Sequence, residues 1–262
     1  MENIINTSVA PVYRRPSFQS EMVTEAFLWE TVMVLDENHD WLKIRQEDGY
    51  EGWIHQFYLI SGSANHPKVH MVLQDRITPV YTAPMPSSGI SDYLSVGTMI
   101  PDAAVTENTD PFLEIIYPCG KTGWLAPKKP SGKNTRSDLI KSAMGLIGTP
   151  YLWGGKSGFG MDCSGFVQTV FLTQGIKLPR DSGLQYQVIP NVDQGEAMPG
   201  DLIFFRDEGK ISHVGIFTSD GRFIHCSGRV RVSSMTSDDP QYENRMMGKF
   251  DSIRSIGKLM LK

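Results

Sequence analysis

The first half of the chain repeats itself. Ala10-Pro11-Val12-Tyr13, with Pro16 close behind, recurs as Thr78-Pro79-Val80-Tyr81 with Pro84 behind it. Trp41-Leu42-Lys43-Ile44 leads on to Gly52-Trp53-Ile54, and Phe112-Leu113-Glu114-Ile115 leads on to Gly123-Trp124-Leu125. In each copy the first aromatic and the later tryptophan stand 12 residues apart, and the copies are offset by about 70 residues. This is an internal duplication. Thr31-Val32-Met33-Val34-Leu35 is β-branched and apolar, Asp48-Gly49 reads as a hairpin turn, and Gly52-Trp53-Ile54 begins the returning strand. Short strands and tight turns in a unit of about 60 residues suggest a small, strongly bent barrel, here in tandem. Trp41, Trp53 and Trp124 read most simply as core packing of such barrels.

Composition limits the rest. At 262 residues, two domains or three small ones are expected. Boundaries near residues 61 and 130 divide the chain into 1–61, 62–130 and 131–262. The second falls in the linker-like run Pro127-Lys128-Lys129-Pro130-Ser131-Gly132-Lys133-Asn134. Hydrophobic residues at 40% and charged residues at 21% exclude a disordered chain, and 25 glycines with 16 prolines argue against a helical bundle. A net charge of −4 offers no basic surface to phosphate backbones, so no nucleic-acid partner is expected. No run approaches the roughly 18 to 20 apolar residues that span a bilayer, so no membrane is expected either. Met1-Glu2-Asn3-Ile4-Ile5-Asn6 has neither the basic n-region nor the apolar h-region of a secretory leader, which points to the cytoplasm. Cys119, Cys163 and Cys226 are too few and too far apart for a disulfide framework or a zinc site with paired cysteines. Cys119 and Cys226 read as structural.

The second half carries the chemistry. Ser137 is expected to cap a helix with Leu139, Ile140, Ala143, Leu146 and Ile147 on its apolar face and Gly148 at its stop. After Cys163, Phe166, Val167, Val170 and Phe171 recur at helical spacing, which sets Cys163 at a helix N-terminus. Free N–H groups and the helix dipole there favour a thiolate and predict a lowered pKa. Ile211 to Phe217 reads as a strand, Thr218-Ser219-Asp220-Gly221 as a turn, and Arg222 to His225 as the returning strand. Such a hairpin brings His213 and His225 to one face if the turn sets a matching register, which the sequence leaves open. Cysteine catalysis would need Cys163 as nucleophile, His213 as its base and His225 orienting His213.

Gly148-Thr149-Pro150-Tyr151-Leu152-Trp153-Gly154-Gly155 followed by Asp162-Cys163-Ser164-Gly165-Phe166 resembles the NlpC/P60 cysteine peptidases. Leu178-Pro179-Arg180-Asp181-Ser182 with Gln185, Pro199-Gly200-Asp201-Leu202, Ser212-His213-Val214-Gly215 and His225 extend the match over residues 135 to 260. The repeated first half resembles bacterial SH3 (SH3b) domains, in which a Gly-Trp pair ends a hairpin. The resemblance implies an α+β chain: a papain-like catalytic domain preceded by two small all-β SH3-like barrels. It implies hydrolysis of the γ-D-glutamyl-diaminopimelate bond in free murein peptides, L-Ala-γ-D-Glu-diamino acid, during wall recycling. Cys163, His213 and His225 would be catalytic, with no cofactor and no metal. Tyr151 and the Cys163 N–H would face the oxyanion, Trp153 would wall the pocket, and Asp162, Ser164, Asp181 and Ser182 would line it. Asp181-Ser182 reads equally as a helix cap. From the first barrel, Glu21 and Tyr50 are expected to hold the substrate's free α-amine, with Glu25 a rival for the acidic role. A solvated loop charge and a barrel aromatic are the plainer readings. A monomer is expected. Intact wall as substrate, an acyltransferase or amidase on the same scaffold, and a wall-binding adaptor remain the alternatives.

Overall fold

The computed structural model describes residues 2–62, 68–128, 135–257 and 259. The expected boundary near 130 and residues 129–134 of the linker-like run lie outside the described residues. The chain forms two compact units, Met1–Pro130 with Ser157–Phe159, and Ser131–Lys156 with Gly160–Lys262.

In the first unit, strands β1 (Glu2–Ile5), β2 (Val9–Tyr13), β3 (Met22–Phe27) and β4 (Thr31–Asn38) are followed by β5 (Trp41–Arg45), β6 (Glu51–His55) and β7 (Leu59–Ser61). They pair in the order β3-β2-β6-β5-β4-β1-β7. The second copy supplies β8 (Val69–Val72), β9 (Ile77–Tyr81), β10 (Ile90–Ser95), β11 (Met99–Pro101), β12 (Val105–Thr109), β13 (Phe112–Ile116) and β14 (Thr122–Leu125). Its ladders run β10-β9-β14-β13-β12, with β11 on β8. The copies therefore share one strand order from β3 to β1, with β11 and β12 together standing where β4 stands and β7 found in the first copy alone among the described residues. In the first copy that strand bends through a bulge at Val34/Asp36. In the second a 3₁₀ turn over Asp102–Ala104 splits it after Pro101.

Period-2 alternation accounts for the core. Ile5, Ala10, Val12, Val32, Ile44 and Ile54 point inward in the first copy, and Val80, Ile115 and Leu125 do so in the second. The Gly-Trp pairs play a different part from the one expected. Gly52 and Ile54 face inward, so Trp53 is turned to the outer face, where it lies half-buried opposite Lys43. Trp124 does the same opposite Glu114. The glycine is required by close approach: a Cβ on Gly52 would stand 2.5 Å from Val12 Cγ1, and one on Gly123 2.4 Å from Val80 Cγ1. Of the three tryptophans assigned to cores, Trp41 is the buried one, edge-on to Tyr13.

Leu28 and Trp29, between β3 and β4, join the second copy's core beside Leu73, Leu94 and Tyr117. Trp29 holds a left-handed backbone (φ 68°), and its indole N–H donates to the Ile116 carbonyl at 3.0 Å. One copy thus completes the core of the other. Leu28→Ala is expected to cost about 2.5 to 5 kcal/mol through the cavity it leaves, read as a lower denaturation midpoint of the first unit.

The second unit contains α1 (Arg136–Met144), α2 (Cys163–Leu172), α3 (Ser182–Val188) and α4 (Asn244–Met247). After the short pair β15 (Lys156–Ser157, its Ser157 counted with the first unit) and β16 (Gly160–Met161) come β17 (Asn191–Val192), β18 (Leu202–Asp207), β19 (Lys210–Phe217), β20 (Arg222–Ser227), β21 (Arg229–Ser234) and β22 (Phe250–Arg254). The last six form an antiparallel sheet in the order β17-β22-β18-β19-β20-β21, and α2 packs on β19 and β20. The cap of α1 is Thr135 rather than Ser137. Thr135 and Asp138 close a reciprocal capping box, which satisfies two backbone N–H groups where Ser137 inside the helix could satisfy none of them. No helix among the described residues is long and apolar enough to cross a membrane.

Candidate functional site

Cys163 is the first residue of α2, and Asp162 is its N-cap. The Asp162 carboxylate accepts from the Gly165 N–H at 2.7 Å and the Gly154 N–H at 3.0 Å. It also accepts both guanidinium nitrogens of Arg180, at 3.0 and 2.5 Å, and the Ser164 hydroxyl at 3.2 Å. Arg180 is 2% exposed, so this bidentate pair is buried, and the guanidinium also donates to Ser164 Oγ and the Gly155 carbonyl. Gly165 lets the segments close up: a Cβ there would lie 2.1 Å from the Gly155 oxygen. Gln185, fully buried on α3, donates to the Ser164 and Pro179 carbonyls.

The hairpin settles the register that the sequence left open. Gly215 lies opposite His225, Ile216 opposite Ile224 and Phe217 opposite Phe223. His213, two residues before Gly215, therefore shares a face with His225. Gly215 leaves the room this needs, since a Cβ there would press on His225 Cβ at 3.0 Å. The rings stand edge to face at 5.0 Å, with His213 Nε2 2.8 Å from His225 Nδ1. His225 Nε2 lies 2.9 Å from Ser233 Oγ, and both residues are 0% exposed. The pattern is self-consistent with His213 Nε2–H donating to His225 and His225 Nε2–H donating to Ser233, which leaves His213 Nδ1 as an acceptor. Cys163 meets the same strand, because its sulfur accepts the Val214 N–H.

Burial sets the protonation. It pushes the Cys163 thiol up to about 12, and the Asp162 charge adds to the rise against the Val214 N–H, Arg180 and the Ser164 N–H. The lowered thiol expected from the helix N-terminus is thus overturned: the helix end offers partial charges, whereas Cys163 is only 8% exposed. Burial also pulls His213 down to about 4 and His225 to about 2, with the charge of Arg231 acting on both. The resting pair is thiol and imidazole. Tyr151 is raised by burial and by the neighbouring Cys163, so its hydroxyl keeps its proton.

Other expected residues divide. Trp153 is 61% exposed and Tyr151 partly so. Asp162 and Ser164 spend their polar atoms on Arg180 and the helix start, so they shape the site instead of presenting free groups to a ligand. Asp181 occupies the N-cap position of α3 without a side-chain capping bond, and Ser182 begins that helix. In the first unit, Glu21 pairs with Arg14 at 2.5 Å. Tyr50 packs against that barrel's core. Glu25 is buried and accepts from the Ser157 N–H at 2.9 Å and its hydroxyl at 3.2 Å, which commits the rival carboxylate internally. Cys226 is buried with its thiol on the Met161 carbonyl, and Cys119 is exposed. Arg180, Gln185 and Ser233 belong to the site and were not singled out. Arg180 and Gln185 stood in the quoted motifs, whereas Ser233 depends on a ladder that no local signal fixes.

The NlpC/P60 family model matches residues 148–249, and a model described as the bacterial dipeptidyl-peptidase SH3 domain matches residues 12–56. A γ-D-glutamyl-L-lysine dipeptidyl-peptidase of Bacillus cereus is 34% identical over 232 residues, covering 79% of this chain and 67% of its own. A protein of the same name from Bacillus subtilis is 29% identical, covering 77% and 71%. A crystal structure of an NlpC/P60 family protein from Bacillus cereus superposes with TM-score 0.83 at 23% identity, covering 97% of this chain and 99% of that one. The chain belongs to the NlpC/P60 family and carries an SH3-like all-β region ahead of the family domain.

Arg180→Met is expected to destabilise the second unit by about 3 to 5 kcal/mol, because it strands the Asp162 charge in a buried site. Denaturant unfolding followed for that unit checks this, and an unchanged midpoint would refute it.

Proposed function

We propose that this protein is a cysteine peptidase cleaving the γ-D-glutamyl-diamino-acid bond of free murein peptides. The observation that carries this reading is the chain of contacts His213–His225–Ser233, on a sheet whose Val214 N–H, next to His213, meets the helix-terminal Cys163. In this reading His213 Nδ1 takes the thiol proton as Cys163 attacks the γ-carbonyl. His225 and Ser233 hold the ring, and the proton passes to the departing amine as the C–N bond breaks. Water then hydrolyses the thioester, with the same imidazole as base. A neutral pair makes proton transfer concurrent with attack. The Cys163 N–H, unpaired within the helix, and the protonated Tyr151 hydroxyl face the developing oxyanion.

The names of the relatives specify L-lysine where the family resemblance implied diaminopimelate, so the class assigned is the γ-D-glutamyl diamino acid. Glu21 and Tyr50 are the first barrel's candidates for holding the free α-amine of L-alanine. Recycling in the cytoplasm would follow from such a requirement, since only released peptides carry that amine.

The assay compares L-Ala-γ-D-Glu-L-Lys, its diaminopimelate counterpart, the N-acetylated forms and intact peptidoglycan. Cleavage of the free tripeptides only is expected, with kcat falling by about four orders of magnitude in Cys163→Ala. Equal cleavage of all substrates would replace the recycling role with wall hydrolysis. Acyl transfer without hydrolysis would favour the acyltransferase alternative.

A further inference from the structure

The peptidase reading leaves one groove without a role. It encloses about 440 Å³ in the second unit and is lined by Arg229, Arg231, Tyr242 and Glu243, with Ile147 and Pro240 as apolar walls. Its position follows from the ladder. Arg231 lies directly opposite His225. Arg229 and Ser233 flank Arg231 at two-residue spacing, so all three side chains emerge on the face that carries His225. The catalytic half of that row is Ser233, bonded to His225. The other half leads into the groove. Its near wall also adjoins the proposed oxyanion side, since Arg229 bridges to Pro150 and the Tyr151 N–H donates to the Gly228 carbonyl at 2.9 Å.

Charge selects the ligand class. Arg231 is paired with Glu243 and donates its Nε–H to the Ser227 carbonyl at 3.1 Å, so that pair is internally neutral. Arg229 is exposed and makes no ion pair among the described residues. The groove therefore carries one uncompensated guanidinium, suited to a carboxylate.

Direction of the reaction selects which carboxylate. The imidazole that takes the thiol proton must return it to the leaving amine, so the residue bearing that amine departs on the histidine side of the scissile bond. The acyl portion stays with Cys163 at the helix end. We propose that the groove holds the departing diamino acid and that Arg229 pairs with its carboxylate. This rests on the peptidase reading and deepens it: Arg229 becomes a specificity determinant that favours short peptides ending at, or branching to, a free carboxylate. The shared ligand is a carboxylate, supplied by the α-carboxyl of lysine or by either carboxyl of diaminopimelate.

The test uses the full chain and Arg229→Gln, with L-Ala-γ-D-Glu-L-Lys as the free acid and as the α-carboxamide. Wild type is expected to favour the acid by at least about tenfold in kcat/KM, chiefly through KM, and Arg229→Gln to lose that preference. Arg229→Lys keeps the charge and should retain part of it, which separates loss of pairing from loss of fold. Diaminopimelate substrates amidated at one carboxyl or the other identify the group that is bound. A wild type indifferent to amidation, or an Arg229→Gln variant with its preference intact, would overturn the proposal while leaving the peptidase reading in place. Failure of wild type to cleave either peptide would instead overturn that reading, and the assignment of the groove with it.

Discussion

The carboxylate of Asp162 is the point on which the catalytic unit depends. One side chain caps α2, holds the Gly154 turn against it and meets Arg180 through two parallel hydrogen bonds. Arg180 in turn sits just before α3, whose Gln185 fastens the backbone of Ser164. The residues on either side of Cys163 are thus held by buried polar contacts, and the thiol itself meets the Val214 and Ser164 N–H groups. Such a network has a cost. Two charges are taken out of water, and what they return is a fixed orientation more than net stability.

The histidines are fixed by different means. A backbone ladder sets their register, a glycine opposite His225 admits both rings, and a buried hydroxyl ends the chain of contacts. His225 and Ser233 are fully buried and His213 partly so, and this burial lowers both imidazoles. The helix terminus and the sheet therefore contribute separately, one positioning Cys163, the other His213 and His225. Arg231 lies where the second contribution ends and the open groove begins.

Much of this was legible along the chain. The duplication appeared as repeated Pro-Val-Tyr and Gly-Trp strings, and the copies do share one strand order apart from β7. Cys163 at a helix start followed from the spacing of Phe166, Val170 and Phe171. The Ile211–His225 hairpin was visible through its Ser-Asp-Gly turn. What escaped depends on tertiary placement. The inward or outward sense of Trp53 and Trp124 is decided by the neighbouring glycines packing against valines. Leu28 and Trp29 give no local sign of entering the other copy's core. Ser233 reaches His225 only once β21 is paired. The thiol's protonation went the other way from expectation because burial is invisible in spacing, while a helix N-terminus is not.

The central claim is that burial keeps Cys163 a thiol and His213 and His225 neutral at rest. Its most direct measurement is the rate of iodoacetamide alkylation of Cys163 against pH, resolved by peptide mass spectrometry so that exposed Cys119 is counted apart. A thiol raised to about 12 predicts a rate that climbs about tenfold per pH unit from about pH 6 to 10 without levelling. A plateau between about pH 5 and 8 would reveal a preformed thiolate paired with an imidazolium and would contradict the account.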